Sequence, residues 1–139
     1  MEDYQWNEHY PTPDIISSDV ESGSMYVIKE ENSIWGIIAI NKEQSPEYNN
    51  LSWACNEGKA LVVHRLAVQP KKQRTGIANK LMEFAEDYAK EKGYTSIRLD
   101  AYCGNSRALG LYEQREYIRV GQVYFPMREF PFNCYEKVL

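Results

Sequence analysis

The chain has 139 residues, of which 43% are hydrophobic and 26% charged, and its net charge is −4. A chain of this length fits one domain with one core, and the acidic balance argues against a nucleic-acid partner. The sequence shows no apolar run of membrane-spanning length and no secretion signal, so we expect no membrane association. The three cysteines (Cys55, Cys103 and Cys134) lack metal-ligand spacing. We therefore expect reduced thiols, no metal and a cytoplasmic location.

The N-terminal segment predicts one short helix after an irregular arm. Residues 1–13 are aromatic and polar and contain two prolines. Ile15, Ile16 and Val20 then share one face at helical spacing, which predicts a helix within residues 14–22. A Ser-Gly-Ser sequence ends this helix, because glycine and serine favour turns.

Two apolar runs follow, and they predict the strands of a hairpin. The runs cover residues 25–30 and 34–40, and the polar turn between them contains Asn and Ser. The next segment, residues 41–57, is polar and predicts a loop. Trp53 stands out in it, and a single tryptophan more often anchors a loop or fills a core than binds a ligand.

The middle of the chain predicts a strand, a turn and an amphipathic helix. Residues 61–68 are β-branched and mostly apolar, as in a buried strand, and Pro70 stops the strand. A helix is predicted over residues 75–92, because apolar side chains repeat along one face. Gly93 is well placed to cap its C-terminus.

The remainder of the chain predicts a strand, a helix and two closing strands. They cover residues 95–102, 105–114, 117–125 and 132–139. A strand, a helix and a strand in this length predict a right-handed crossover with parallel pairing of the two strands. The fold class is therefore α/β, with a mixed central sheet flanked by helices.

The turn between the predicted strand 61–68 and helix 75–92 is a candidate anion site. Backbone N–H groups at a helix start lack intrahelical partners, and the helix dipole is positive there. Three basic side chains, Lys71, Lys72 and Arg74, lie on the approach, so a phosphate or pyrophosphate fits. The turn lacks the ending of a triphosphate P-loop and the spacing of a dinucleotide motif. An ordinary strand-to-helix turn remains the alternative.

Two motifs resemble those of the GNAT N-acetyltransferase superfamily. The turn Gln73–Ala78 matches its Gln/Arg-x-x-Gly-x-Gly/Ala signature, and the segment 105–113 resembles its Asn-x-x-Ala-x-x-Leu-Tyr-Glu pattern. Both fall in the order that this family uses. The resemblance implies a single GNAT-like acyl-CoA N-acyltransferase domain over residues 1–139, with acetyl-CoA as co-substrate.

The resemblance also implies which residues hold the co-substrate. The turn would bind the pyrophosphate, the end of the preceding strand would bind the pantetheine arm, and the second helix would contact the coenzyme through its first turn. The residues carried over are Leu66, Val68, Gln73, Arg74, Thr75, Gly76, Ile77, Ala78, Asn105 and Ala108.

Acyl transfer to an amine needs a group that takes the amine proton and donors for the developing oxyanion and the leaving thiolate. The resemblance implies Tyr112 as general acid, helpful rather than indispensable because a thiol is a tolerable leaving group. His64 interrupts an apolar strand and is the candidate base, with Glu57 and Asp100 as alternatives. A structural interpretation stays open: Asn105 as an N-cap, Tyr112 as a helix aromatic and His64 as a satisfied core histidine.

The chain departs from the family pattern in two places. The family begins with a further strand and a full helix, which we expect to be missing or truncated here; an unpaired sheet edge then favours a homodimer. The usual glycine after the second motif is Glu116, which we expect in the left-handed conformation at a cost of about 1 kcal/mol.

The interpretation that these features favour is an acetyl-CoA-dependent N-acetyltransferase. The acceptor is a primary amine of a small molecule or a protein, which attacks directly in a ternary complex. Candidate acceptor contacts are Trp53, Tyr102 and Tyr124, at predicted loop and strand ends. The alternatives are a non-catalytic acyl-CoA-binding module or sensor, and an interaction domain that binds no CoA-type ligand.

Overall fold

The computed structural model describes residues 16–18, 25–30, 33–55, 58–73, 76–126 and 128–139. They fall into two compact units, an N-terminal unit (residues 2–41 and 63–87) and a C-terminal unit (chiefly 42–62 and 88–139). The described strands and α-helices are, in chain order, β1 (Ile16–Ser18), β2 (Met25–Glu30), β3 (Ser33–Asn41), β4 (Ala60–Val68), α1 (Ile77–Glu91), β5 (Ser96–Tyr102), α2 (Ser106–Gln114), β6 (Ile118–Val123) and β7 (Phe132–Val138). No helix in these described ranges is long and apolar enough to cross a membrane.

The N-terminal unit is built on the predicted hairpin. Its strands are hydrogen-bonded in the order β1-β2-β3-β4, and β2 pairs antiparallel with β3 from Met25 opposite Ala39 to Glu30 opposite Ser33. Alternate side chains of the hairpin enter one core, because successive residues of a strand point to opposite faces. This core contains Met25, Val27, Ile37 and Ala39, with Ile34 and Ala67 packed against it.

The helix predicted within residues 14–22 is wrong for the part that the structure describes. Ile16–Ser18 is a short strand, and it pairs antiparallel with β2. One edge of β2 is thus paired with β1 along three residues. Whether a further strand and helix precede this region stays a prediction, since it concerns residues outside the described ranges.

Helix α1 confirms the predicted apolar stripe. Ile77, Leu81 and Ala85 are buried, and the helix lies close to β3. An added Cβ at Gly36 would lie 2.7 Å from Ile77 Cγ2 and 2.9 Å from Leu81 Cδ1. A Cβ at position 36 would therefore force these side chains to shift, and glycine there lets β3 approach the start of α1 closely.

Within the C-terminal unit the strand order is β4-β5-β7-β6, and residues 60–62 of β4 belong to this unit. Strand β7 pairs antiparallel with β5 from Ser96 opposite Val138 to Tyr102 opposite Phe132, and antiparallel with β6 on its other side. The closing strands β6 and β7 are those expected from the sequence, and the α/β mixed-sheet prediction is confirmed. A core of Tyr48, Trp53, Val62, Val123 and Cys134 forms in this unit.

The loop between β3 and β4 is tied to this core by a buried ion pair. The Glu136 carboxylate accepts hydrogen bonds from the Ala54 N–H (2.7 Å) and the Cys55 N–H (3.3 Å). Arg98 Nε lies 3.5 Å from Glu136 Oε2, and the guanidinium donates to the Cys55 carbonyl (2.6 Å) and lies over the Trp53 ring. The loop therefore has a defined position despite its polar sequence.

The end of α2 has the left-handed residue that the sequence predicted. Glu116 has a φ of 72°. The Glu116 N–H donates to the Glu113 carbonyl and the Tyr117 N–H to the Tyr112 carbonyl, which is the bond pattern of a Schellman motif. The predicted cap conformation at Glu116 is confirmed.

Candidate active site

The turn before α1 lies in the N-terminal unit and offers backbone donors. The first described intrahelical hydrogen bond of α1 runs from the Lys80 N–H to the Gly76 carbonyl, at 3.0 Å. The N–H groups of Ile77 and Ala78 precede that bond and point toward the helix start. Because the Ile77 side chain is buried, only its backbone can serve a ligand.

The backbone conformation at Gly76, and the space beside it, would let an anion approach the turn. Its φ is +88°, a conformation that other residues rarely adopt, and an added Cβ would meet no heavy atom of the described residues within 4 Å. The space beside Gly76 is therefore open with respect to the described part of the chain, and the residues present there fit the pyrophosphate of a coenzyme A. Arg74 and Thr75, two of the predicted contacts, lie outside the described residues.

The neighbouring side chains of the turn are held by local contacts. Gln73 Nε2 donates to the Val68 carbonyl at 3.4 Å, and the Lys72 ammonium lies 3.9 Å from the centre of the Trp35 ring. Leu66 and Val68 are half-buried at the end of β4. The end of β4 and the turn thus lie within one unit, and their joint role as a coenzyme site stays a prediction.

His64 is exposed on β4 rather than buried in a core. Its Nε2 lies 2.6 Å from Asn41 Oδ1. A hydrogen bond of this kind fixes the ring and makes Nε2 the donor, because the amide oxygen can only accept. The interpretation of His64 as a satisfied core histidine is therefore wrong, and its role as a base stays a prediction.

Helix α2 carries the second motif and lies in the C-terminal unit. Asn105 is its N-cap, with Oδ1 accepting a hydrogen bond from the Ala108 N–H at 3.1 Å. The structural role of Asn105 is confirmed, and the side-chain oxygen is used in it. Tyr112, two turns further on, is buried between the rings of Tyr117 and Tyr135.

A group of titratable side chains surrounds Asp100 on β5. The Tyr48 hydroxyl donates to Asp100 Oδ2 at 2.6 Å. Burial raises the pKa of the Asp100 carboxyl, and the hydrogen bond from Tyr48 opposes this. Burial and the charge of Asp100 raise the pKa of Tyr112 and bring that of the Cys134 thiol to about 12. Tyr112 is therefore protonated at neutral pH, as a proton donor must be.

The candidate acceptor contacts differ in exposure. Trp53 is buried, and its indole N–H donates to the Tyr48 carbonyl at 2.9 Å, which favours the loop-anchoring interpretation. Tyr102 is half-buried and contacts the rings of Phe130 and Phe132. Tyr124 is 64% exposed. Tyr102 and Tyr124 are thus the members of this set that a ligand can reach.

Sequence reasoning missed Tyr48. It lies in a polar loop, 52 residues before the carboxylate that it contacts. Nothing in the local pattern distinguishes it from an ordinary loop aromatic. Only its position between Pro46 and Trp53, two residues that can order a loop, was available as a signal.

The structure thus has a mixed sheet, a left-handed turn at Gly76 between its fourth strand and helix α1, and a capped helix α2 that carries a buried tyrosine. Residues 1–117 match the family described as Acetyltransferase (GNAT) family. This chain belongs to that family, and the resemblance inferred from the two motifs is confirmed.

Individual relatives are more distant. The rat protein N-acetyltransferase 8F1 is 26% identical over 129 residues, which are 88% of this chain and 55% of the relative, so the chain spans about half the length of that protein. A proposed acetyltransferase from Staphylococcus aureus MU50 is 28% identical with a TM-score of 0.70, and 86% of this chain aligns with 74% of it. A chain of the NatC complex bound to Gag peptide and CoA is 24% identical with a TM-score of 0.68, over 83% of this chain and 70% of that chain.

Proposed function

We propose that this chain is an acetyl-CoA-dependent N-acetyltransferase that transfers the acetyl group to a primary amine by direct attack in a ternary complex. Membership of the GNAT family supports the reaction class. The observation that carries the co-substrate is the open left-handed turn at Gly76 at the start of α1. Acetyl-CoA would supply the acetyl group as a thioester, and the chain's residues would bind and orient it and move protons.

The proposed binding contacts follow from the geometry of the N-terminal unit. The backbone N–H groups of Ile77 and Ala78 and the positive end of α1 would stabilise the pyrophosphate. Arg74, Gln73 and Thr75 belong to the same proposed contact set on the sequence motif. A NatC complex that shares the fold is bound to CoA, which supports a coenzyme as the ligand.

Two residues of the C-terminal unit carry the proposed proton transfers. Tyr112 is buried and protonated, which suits donation of a proton to the leaving thiolate. Asp100 is half-buried, and its raised pKa brings the carboxylate closer to the working range of a base. We therefore assign the base to Asp100 rather than His64, whose ring is exposed and bonded to Asn41.

The proposed acceptor is an amine of either a peptide or a small molecule. The name of the rat relative indicates an amine acceptor, and the NatC complex binds a peptide. The reachable aromatic side chains, Tyr102 and Tyr124, can pack against the apolar part of either a peptide or a small amine. The proposal also includes action in the cytoplasm and as a homodimer. Both of these parts are inferred from the sequence.

The first test is calorimetric titration of acetyl-CoA into the purified chain, with ATP as the control ligand. We expect selective binding with Kd in the micromolar range. Arg74→Glu places an acid at the phosphate site and should weaken binding at least about tenfold. Lys90→Glu makes the same change of net charge at the far end of α1 and should leave the affinity unchanged. Equal affinities for all three proteins would refute the turn as the cofactor site.

The second test is release of the CoA thiol from acetyl-CoA with three acceptors: an N-blocked lysine peptide, a peptide with a free α-amine, and a small diamine. Turnover with any of them eliminates the non-catalytic binding module. Tyr112→Phe should lower kcat about tenfold or more and leave acetyl-CoA affinity nearly unchanged. An unaltered kcat would remove Tyr112 from the chemistry.

A further inference from the structure

The loop between β3 and β4 places one tyrosine hydroxyl on the proposed base. Tyr48 lies in the 3-10 turn Pro46–Asn50 and is 2% exposed. Its hydroxyl donates to Asp100 Oδ2 at 2.6 Å, a short hydrogen bond of the kind that charged acceptors form. A surface loop thus reaches a side chain of the central sheet.

We propose that Tyr48 is a positioning residue for Asp100: its hydroxyl fixes Oδ2 and stabilises the carboxylate, so that Oδ1 accepts the proton of the acceptor amine. This inference rests on the proposed function, because it assigns Asp100 as the base. It concerns a residue outside both sequence motifs.

The position of Tyr48 is fixed from several sides. Its carbonyl accepts hydrogen bonds from the Leu51 N–H (3.2 Å) and from the indole N–H of Trp53 (2.9 Å). The rings of Tyr48 and Trp53 are in contact, with centroids 5.1 Å apart. Arg98 lies over the other ring of this pair and holds the loop through Cys55. The hydroxyl is therefore held toward Asp100 rather than free to turn into solvent.

The groups around Asp100 decide how strongly the Tyr48 hydrogen bond affects the carboxylate. The titratable groups that face Asp100 are Tyr48 from the loop, Tyr112 from α2 and Cys134 from β7. Burial raises the pKa of each of these three groups, so all are neutral at pH 7. They supply no positive charge that could stabilise the carboxylate. The Tyr48 hydrogen bond is the contact that lowers the pKa of Asp100 against burial.

The proton step balances without any further reactant. The nitrogen of the acceptor loses one proton to Asp100 Oδ1 as it forms the new amide bond, and the C–S bond of the thioester breaks. The Tyr112 hydroxyl protonates the leaving thiolate. The Asp100 carboxylic acid then gives its proton to water, Tyr112 regains one proton from water, and the carboxylate accepts the Tyr48 hydrogen bond again at full strength. No oxidation or reduction takes place.

The test compares wild type, Tyr48→Phe and Tyr135→Phe. Tyr135→Phe is the matched control: it also removes one tyrosine hydroxyl and its hydrogen bond, here to Glu113 Oε2 at 3.0 Å, and keeps the ring. The Asp100 carboxyl resonance is followed by carbon NMR in aspartate-labelled protein and assigned by its loss in Asp100→Asn. kcat/KM is then measured against pH with the best of the three acceptors named above.

We expect Tyr48→Phe to move the Asp100 titration to higher pH, and Tyr135→Phe to leave it in place. The ratio of wild-type to Tyr48→Phe kcat/KM should rise to about tenfold on the acidic limb and approach one at high pH. Titration of the acceptor amine cancels in this ratio, because the same acceptor is used for both proteins. A merely structural role would lower the rate equally at every pH.

Each opposing result has a distinct meaning. An Asp100 titration that does not move overturns the proposal whatever the activity. A titration that moves with a flat rate ratio also overturns it, because Asp100 then does not limit proton transfer. Binding of acetyl-CoA without turnover by wild type ends the proposed function itself and the catalytic role of Tyr48. If Tyr48→Phe fails to fold, 3-fluorotyrosine is placed at position 48 alone. Its more acidic hydroxyl is a stronger donor, so the Asp100 titration should move to lower pH. An unmoved titration overturns the proposal.

Discussion

At the scale of single residues, Asp100 combines a functional role with a cost in stability. Its pKa is raised above 3.8 by burial, so between pH 3.8 and the folded pKa the native state binds more protons than the unfolded state. The free energy of unfolding therefore falls as the pH rises through that window, and the cost remains in full above it. A carboxylate at position 100 thus weakens the fold at neutral pH.

We predict that Asp100→Asn abolishes turnover and stabilises the protein at pH 7–8, by the order of 1 kcal/mol, the common size of a single-site effect. The amide oxygen can still accept the Tyr48 hydrogen bond. Melting curves from pH 3 to pH 8 should show the gain shrink toward zero as the pH falls to 3.8. Asp87→Asn, on the exposed face of α1, is the control. A gain that is independent of pH would contradict the burial argument.

Glu116 is a second residue at which the fold carries a cost. Its φ of 72° belongs to the left-handed region, where a side chain is unfavourable and glycine is not. Glu116→Gly should raise the free energy of unfolding by about 1 kcal/mol. Urea unfolding measures this directly, with Glu113→Gly as a control that should destabilise α2 from inside the helix. A lower stability for Glu116→Gly would show that the Glu116 side chain makes a compensating contact.

At this scale the sequence predicted those residues whose role depends on near neighbours. Asn105 caps the helix that follows it, and Glu116 closes the same helix. Tyr48 and Asp100 could not be paired in advance, because their contact depends on the path of a loop across 52 residues. The exposure of His64 likewise depends on which face of β4 is covered, and an apolar strand sequence does not tell the two faces apart.

At the scale of elements, the loop at residues 42–55 depends on one buried carboxylate. Glu136 is 2% exposed. Its carboxylate accepts hydrogen bonds from two loop N–H groups and forms an ion pair with the Arg98 guanidinium. Removal of one partner of a buried ion pair leaves the other charge unsatisfied, which costs about 3–5 kcal/mol. We predict a loss of this size for Glu136→Ala by urea unfolding.

The matched control for Glu136→Ala is Glu129→Ala, at an exposed position, and it should change the stability by less than about 0.5 kcal/mol. Hydrogen exchange adds a local measurement, because the Ala54 amide that donates to Glu136 should lose its protection. A loss below about 1 kcal/mol for Glu136→Ala would mean that the loop keeps its place through Trp53 and Tyr48 alone.

The elements that the sequence predicted are those with a long local pattern. The 15-residue helix α1 carries a clear helical periodicity, and the nine-residue strand β4 carries a long apolar run. Strand β1 has three residues, too few for an alternating pattern, and Ile16 also fits a helical face. Its pairing with β2 decides its structure, and that pairing is not a local property.

At the scale of the whole molecule, two compact units share two continuous elements. Strand β4 and helix α1 each begin in one unit and end in the other. Unfolding one unit alone would therefore remove part of a strand and part of a helix from the other. Two-state unfolding is usual for a chain of this length, and the shared elements argue that this chain follows the rule.

We predict one calorimetric transition with an enthalpy of about 100 kcal/mol near 60 °C, from about 0.7 kcal/mol for each residue, and equal calorimetric and van't Hoff values. Acetyl-CoA at 100 times its Kd adds about 2.7 kcal/mol to the native state and should shift the whole transition upward by several degrees. ATP at the same concentration should not. Two transitions, of which acetyl-CoA moves only one, would show that the units unfold independently and that the coenzyme is bound by one of them.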